Sequence, residues 1–447
     1  MPENTPVTPA PHPHPEVPVE AREHAEDLGA FVTAAPSSYH AAAEVARRAE
    51  AAGFVPLAET DTWDVAPGGR YVVVRDGSAI AFVVPPSAGA TTPFTVLGTH
   101  TDSPGFKLKP RPTTGREGWV QAGVEVYGGP LLNSWLDREL ELAGRLVTRD
   151  GTEHLVRTGP FARIPQLAIH LDRQVNDGLT LDKQRHTQPV IGLGEVGDAD
   201  VLAALAARAE LPDGAAVDPA DILGYDVVVA DTQAPRAFGT HEELWASGRL
   251  DNLLSTHAAL TALLGATPAD LHGVAVLAAF DHEEIGSESR SGAAGPFLAD
   301  VLGRVSRALG AGGEDRRRAL ASSVCVSSDV GHAVHPNYPE RHDPANHPRA
   351  GGGPILKINA NQRYTTDAHG AALWQAACDA ARVPTQEFVS NNTIPCGSTI
   401  GPITATRLGI RVVDVGVPIL SMHSARELTA VVDPWYLARA MGAVLVR

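Results

Sequence analysis

Between Gly248 and the C-terminus the chain alternates short apolar runs with helical segments, and this rhythm limits the fold more than any other feature. The spacing predicts helices over Asp251–Gly265, Gly295–Leu309, Ala368–Arg382, Ser398–Leu408 and Asp433–Val446. Strands are expected over Val274–Phe280, Val324–Val326, Gln386–Val389 and Ile410–Val415. Buried strands joined through helices need crossover connections, which produce a mostly parallel sheet with helices on both faces. The same α/β character opens the chain. Helices are expected from Glu20 to about Ala35 and over Ser37–Ala52, the second stopped by Gly53 as a left-handed C-terminal residue. β-type runs follow at Tyr71–Arg75, Ala79–Val84 and Phe94–Gly98.

From Ser103 to Arg236 the pattern changes. Val124–Tyr127, Glu139–Val147 and Leu167–Leu171 read as strands between Gly/Pro turns, with one helix over Ala199–Ala207. The expected organisation is therefore an α/β domain built from residues 21–102 and 237–447, interrupted by a β-rich insert over 103–236. Residues 1–20 are rich in Pro, Thr and Glu and are expected to be a disordered tail, with His12 and His14 part of it rather than a metal site.

Composition narrows the function. The formal net charge of -16, from 36 Lys+Arg against 52 Asp+Glu, opposes nucleic acid or an anionic membrane as a partner. No apolar run reaches the ~18 residues of a membrane span, and the N-terminus lacks the basic and apolar regions of a secretory signal. The three cysteines, Cys325, Cys378 and Cys396, are widely spaced and odd in number, which suits reduced thiols in the cytoplasm.

Five short segments at strand ends or helix starts carry the chemistry. They are Thr99-His100-Thr101-Asp102, Arg249-Leu250-Asp251-Asn252, Asp281-His282-Glu283-Glu284, Ser328-Asp329-Val330-Gly331-His332 and Met422-His423-Ser424. Taken singly, each has an ordinary explanation: an N-cap for Asp251, a solvated loop for Glu283-Glu284, a surface or core histidine for His423. Together they place imidazoles and carboxylates at successive strand ends of one sheet, where open α/β folds form their sites. Such donors suit Zn²⁺ or a similar ion, and two ions need a shared carboxylate to relieve their repulsion. Glu283 and Glu284 are adjacent and point in different directions at a strand end. One can ligate while the other takes a proton from water, the division of labour a two-metal hydrolase needs.

These segments, with Asp329–Tyr338, Lys357–Tyr364, Pro395–Pro402 and Met422–Glu427, resemble the aspartyl aminopeptidase family of dinuclear zinc peptidases from about Ala30 to the C-terminus. The most specific stretches are His332-Ala333-Val334-His335-Pro336-Asn337-Tyr338 and Cys396-Gly397-Ser398-Thr399-Ile400-Gly401-Pro402. The resemblance implies removal of single N-terminal residues from peptides, with a preference for Asp or Glu. It implies two Zn²⁺ per chain, replaceable by Co²⁺ or Mn²⁺: one on His100 and Asp329, the other on Glu284 and His423, with Asp251 bridging and Glu283 as general base. It further implies that the insert dimerises the chain, that dimers assemble into a dodecamer, and that His170 reaches a partner's active site. His332 would contact substrate, and Lys357 and Tyr364 would line the first specificity pocket, where a lysine pairs with an acidic side chain. The loop Pro339–Gly353 departs from the family pattern and lies between two of its motifs, where it can reshape that pocket. The rival expectations are a related peptidase or deacylase of broad specificity, and a silent peptide-binding scaffold. The complete donor set with Glu283 speaks against the scaffold.

Overall fold

The computed structural model describes residues 17–209 and 217–447; residues 1–16 of the expected tail, with His12 and His14, lie outside the described residues, whereas Val19 and Glu20 at its end already belong to the first helix. Nine strands form one sheet in the order Val55–Pro56, Arg70–Arg75, Ser78–Val83, Val274–Phe280, Phe94–His100, Val324–Ser328, Arg411–Gly416, Ile355–Ile358 and Gln386–Val389. The four strands from Val274–Phe280 to Arg411–Gly416 run parallel, and antiparallel pairs occur towards both sides. Alternate residues of each strand face opposite layers. Leu97, Leu277, Val326 and Val413 pack on helices Val19–Ala34, Ser38–Ala51, Leu250–Leu264, Ala368–Ala381 and Val432–Leu445. Val96, Val276, Cys325 and Val412 face Phe297–Ala308 and Ile400–Leu408 on the other side. The fold is α/β, with a mixed but mostly parallel sheet, as the rhythm of the sequence requires.

The stretch after Ser103 forms a second, wholly antiparallel sheet of six strands. Their order is Glu153–Arg157, Leu140–Thr148, Ile222–Asp231, Gly105–Arg116, Trp119–Tyr127 and Val190–Leu193. Phe106, Leu142, Leu146, Val201 and Val227 belong to its separate core, and Asp200 caps the short helix Val201–Ala206.

Several local expectations shift. Leu167–Leu171 is no strand but an exposed turn after Pro165, with Leu167, Ile169 and Leu171 showing 60%, 46% and 75% of their surface. Alternating apolar residues there find no partner strand among the described residues, so the period alone misleads. The helix Gly313–Ala321 was not expected, because GEDRRRALA carries charge around most of its circumference and little apolar stripe. The strand at Phe94 extends through His100, whose backbone is paired with Phe280 across the sheet. No helix among the described residues is long and apolar enough to cross a membrane.

Candidate metal centre

The parallel strands deliver the site. Phe94–His100 and Val274–Phe280 end level with each other, His100 opposite Phe280, and Val324–Ser328 ends beside them. His100, Asp281–Glu284 and Asp329 therefore leave the sheet along one edge, outside the carboxyl ends of the strands. The helix Leu250–Leu264 starts at this edge, after Arg249 in a left-handed conformation, and places Asp251 in its first turn, where the helix dipole favours a carboxylate. Asn252 donates to the Thr101 carbonyl at 2.8 Å and accepts from Ser103 Oγ at 3.0 Å, and Thr256 donates to the His100 carbonyl at 2.8 Å. Helix and strand end are thus locked together. His423 comes from the loop before Glu427–Ala430, itself with a positive φ of 66°.

Glu283 and Glu284 diverge for a different reason from the one expected. The strand has already ended, and the chain turns through left-handed His282 into a single 3₁₀ turn over Glu283–Ile285, closed by Gly286 at φ 96°. Successive residues on such a turn point about 120° apart, which separates the two carboxylates as effectively as a pleat would.

The five residues expected to ligate metal converge. His100 Nε2 lies 3.4 Å from Asp329 Oδ1 and 4.0 Å from Asp251 Oδ2. His423 Nε2 lies 3.4 Å from Glu284 Oε1 and 3.7 Å from the same Asp251 Oδ2. Ligand atoms of His100, Asp251 and Glu284 all fall within 4.8 Å of one another. Both rings turn the other nitrogen to a carbonyl: His100 Nδ1 to Asp102 O at 3.2 Å, His423 Nδ1 to Gly129 O at 3.1 Å. A carbonyl only accepts, so each Nδ1 carries the proton, and each Nε2 faces the carboxylates as a metal-ligating imidazole does.

The electrostatics ask for cations. Burial, opposed by His100 and reinforced by Asp329, Asp102 and Asp251, pushes the Glu283 carboxyl up to about 8. Burial and neighbouring Asp251 raise Glu284 well above the carboxylate range. Although burial acts against it, hydrogen bonds to Asp102 and Asp329 hold the His100 imidazole well above its usual value. Carboxylates that take up protons and an imidazole that holds one are the response of a crowded anionic site, and divalent ions answer the same demand. The residues fit the metal.

Other expected residues are placed as follows. Lys357 is 1% exposed, which excludes a lysine snorkelling to solvent. Its Nζ donates to the Val330 carbonyl at 2.6 Å, lies 3.6 Å from Asp329 Oδ2 and sits 5.2 Å from the Tyr364 ring. Burial opposes, but Lys357 and His100 hold the Asp329 carboxyl down at about 2. His332 and Tyr364 line a cavity of about 270 Å³ beside Met422. His170 stands apart, on the exposed turn of the second sheet.

Three contributors were not singled out from the sequence. Asp102 takes the backbone N–H groups of Glu283 at 2.9 Å and Glu284 at 3.1 Å and the Tyr127 hydroxyl at 2.8 Å, so one buried carboxylate orients three parts of the site. Gly128, at φ 65°, packs so closely on Glu284 that an added Cβ would lie 3.2 Å from its Cβ, which brings the second sheet against the candidate ligands. Glu427, 2% exposed, accepts from Asp251 N at 3.0 Å and His423 N at 2.8 Å. The only signal for Asp102 and Glu427 was their presence inside the quoted motifs; a residue type does not disclose which backbone it will grip.

Glu427→Gln puts an amide donor against one of two N–H groups that need an acceptor. Metal affinity is expected to fall about 10–100-fold, as when a ligand loses its outer partner, with activity recovered at high Zn²⁺. Titration of the metal-free variant against a zinc indicator checks this, and unaltered affinity would show that Glu427 serves the fold alone.

Comparison with known proteins places the chain in a family. Residues 31–441 match the family model for the aminopeptidase I zinc metalloproteases, M18. A probable M18 family aminopeptidase 2 of Streptomyces avermitilis is 57% identical over 95% of this chain and 98% of its own length. A protein of the same description from Pseudomonas paraeruginosa is 43% identical over 92% and 96%. Among solved structures, a chain of the Ape4 and Nbr1 complex superposes with a TM-score of 0.92 at 37% identity, covering 96% of this chain and 86% of that one. The S. cerevisiae mApe1 dodecamer superposes at 0.81 with 26% identity, covering 95% and 96%. With imidazoles and carboxylates gathered at one edge of an α/β sheet and relatives matched along nearly its whole length, the chain is a zinc-dependent aminopeptidase and belongs to the M18 family of aminopeptidase I zinc metalloproteases.

Proposed function

We propose that the protein releases single N-terminal residues, preferentially Asp or Glu, using two Zn²⁺ ions per chain. The observation that carries the dinuclear reading is Asp251 Oδ2, which faces His100 Nε2 at 4.0 Å and His423 Nε2 at 3.7 Å. One ion would be held by His100 and Asp329, the other by Glu284 and His423, with Asp251 shared. When bound, such ions polarise the scissile carbonyl and acidify water, and Co²⁺ or Mn²⁺ can supply the same chemistry. Glu283 accepts the proton of the attacking water and passes it to the departing amine. His332 and Tyr364 contact the N-terminal residue, and the buried Lys357 ammonium, 5.2 Å from the Tyr364 ring that lines the cavity, supports an acidic preference.

The organisation we infer is a catalytic domain of residues 21–102 and 237–447, with 103–236 inserted as a dimerisation domain. The exposed Leu167, Ile169 and Leu171 around His170 support burial against another copy, as does the dodecameric assembly of the yeast relative. Larger assembly then brings His170 to a partner's active site; a fully active monomer in light scattering would exclude this. Three free cysteines suit the reducing cytoplasm.

Elemental analysis alongside assays on aminoacyl p-nitroanilides tests the main reading. Two ions per active chain are expected, with loss of activity on chelation, recovery on adding Zn²⁺, Co²⁺ or Mn²⁺, and the highest kcat/KM for Asp and Glu. A single ion in fully active protein overturns the dinuclear centre, while equal rates on all residues overturn only the preference.

A further inference from the structure

The cavity beside the candidate metal centre is lined by one permanently charged side chain, the Arg341 guanidinium, in a chain that is strongly anionic. His332, His335, Arg341 and His342 line it, and no carboxylate does so among the described residues. Arg341 comes from the loop that departs from the family pattern, and that loop is built into the structure. Asn391 Nδ2 donates at 3.2 Å to the carbonyls of both Glu340 and His342, gripping the backbone on either side of Arg341. His342 Nε2 accepts from His335 N at 3.1 Å, and the buried Asp433 carboxylate takes Gly351 N at 2.7 Å and Gly353 N at 2.9 Å.

The two cations near this cavity are not equivalent. Lys357 is buried with its ammonium 3.6 Å from Asp329, so much of its charge is already answered. The Arg341 side chain is 70% exposed and approaches Glu340, its equally exposed neighbour, no closer than 3.9 Å. Such a pair holds the side chain weakly and leaves the guanidinium fork available.

We propose that Arg341 is a specificity-determining residue that pairs with a carboxylate of the peptide bound at the metal centre. This rests on the aminopeptidase site proposed above and adds a cation that lines the cavity itself to the buried lysine beside Tyr364. A guanidinium takes a carboxylate through two parallel N–H···O bonds, which a lone ammonium cannot do. Substrate carboxylates have two sources, the side chain of an N-terminal Asp or Glu and the free C-terminus of a short peptide.

The test compares wild type with Arg341→Gln and Arg341→Glu in two arms. The first uses Glu- and Ala-p-nitroanilide, in which the side chain supplies the only carboxylate. The second uses Ala-Ala and Ala-Ala amide, in which only the C-terminus differs. In at least one arm the kcat/KM ratio of carboxylate over neutral substrate is expected to drop by about tenfold or more in Arg341→Gln, chiefly through KM. It should drop further in Arg341→Glu, with the metal content of both variants unchanged. A drop in the first arm assigns the N-terminal side chain as ligand; a drop in the second assigns the peptide's C-terminus. Ratios equal to wild type in both arms overturn the proposal. A wild type with no preference in the first arm defeats the acidic-residue reading instead, and the second arm still decides the role of Arg341.

Discussion

Asp251→Ala is expected to empty both metal positions and lower turnover by more than about 10³-fold, because bound ions supply several kcal/mol of transition-state stabilisation. The geometry makes this the most severe single change. Asp251 Oδ2 faces the Nε2 atoms of both histidines, whereas Asp329 lies against His100 and Glu284 against His423. Without the shared oxygen, two dications would sit in one cleft with no anion between them. His423→Ala removes one imidazole and leaves Asp251, His100 and Asp329 in place, so it should weaken chiefly one ion. Elemental analysis after dialysis distinguishes the two variants. Retention of two ions by Asp251→Ala would mean that another carboxylate bridges them.

For Glu283→Gln, turnover is expected to fall by roughly 10²–10⁴ while both ions and the substrate KM are retained. The amide matches the carboxylate in shape but cannot accept the proton of the attacking water. The backbone N–H of Glu283 still binds Asp102, so the 3₁₀ turn that carries Glu284 keeps its anchor. Burial and the surrounding carboxylates raise the Glu283 carboxyl, which favours proton uptake; cations, when bound, would draw it back towards the range of a base at neutral pH. Kinetics and metal content measured on one preparation separate the possibilities. Near-normal turnover would place the base elsewhere; loss of an ion would exchange the roles of Glu283 and Glu284.

What the sequence determined by itself was whatever depends on neighbours along the chain. Strand Val274–Phe280 appears with the limits its apolar run implies, and Gly53 marks a helix end through its left-handed backbone. The candidate donors were legible because imidazoles and carboxylates recur together at successive strand ends of one sheet, although each segment alone has an ordinary explanation. Their pairing was not. Whether Glu283 or Glu284 meets His423 depends on a left-handed His282 and one 3₁₀ turn, and the assignment of ligands came from family resemblance. Leu167–Leu171 shows the opposite failure: period-two alternation promised a strand, but a strand exists only where another backbone lies beside it. Only the tertiary structure decided that Glu427 grips the backbone of Asp251 and His423, that Gly128 and Tyr127 of the second sheet close on the site, and that Lys357 faces Asp329. Local propensity is set by a few adjacent residues, whereas these contacts join segments far apart in the chain, and only packing of the two sheets specifies which atoms meet.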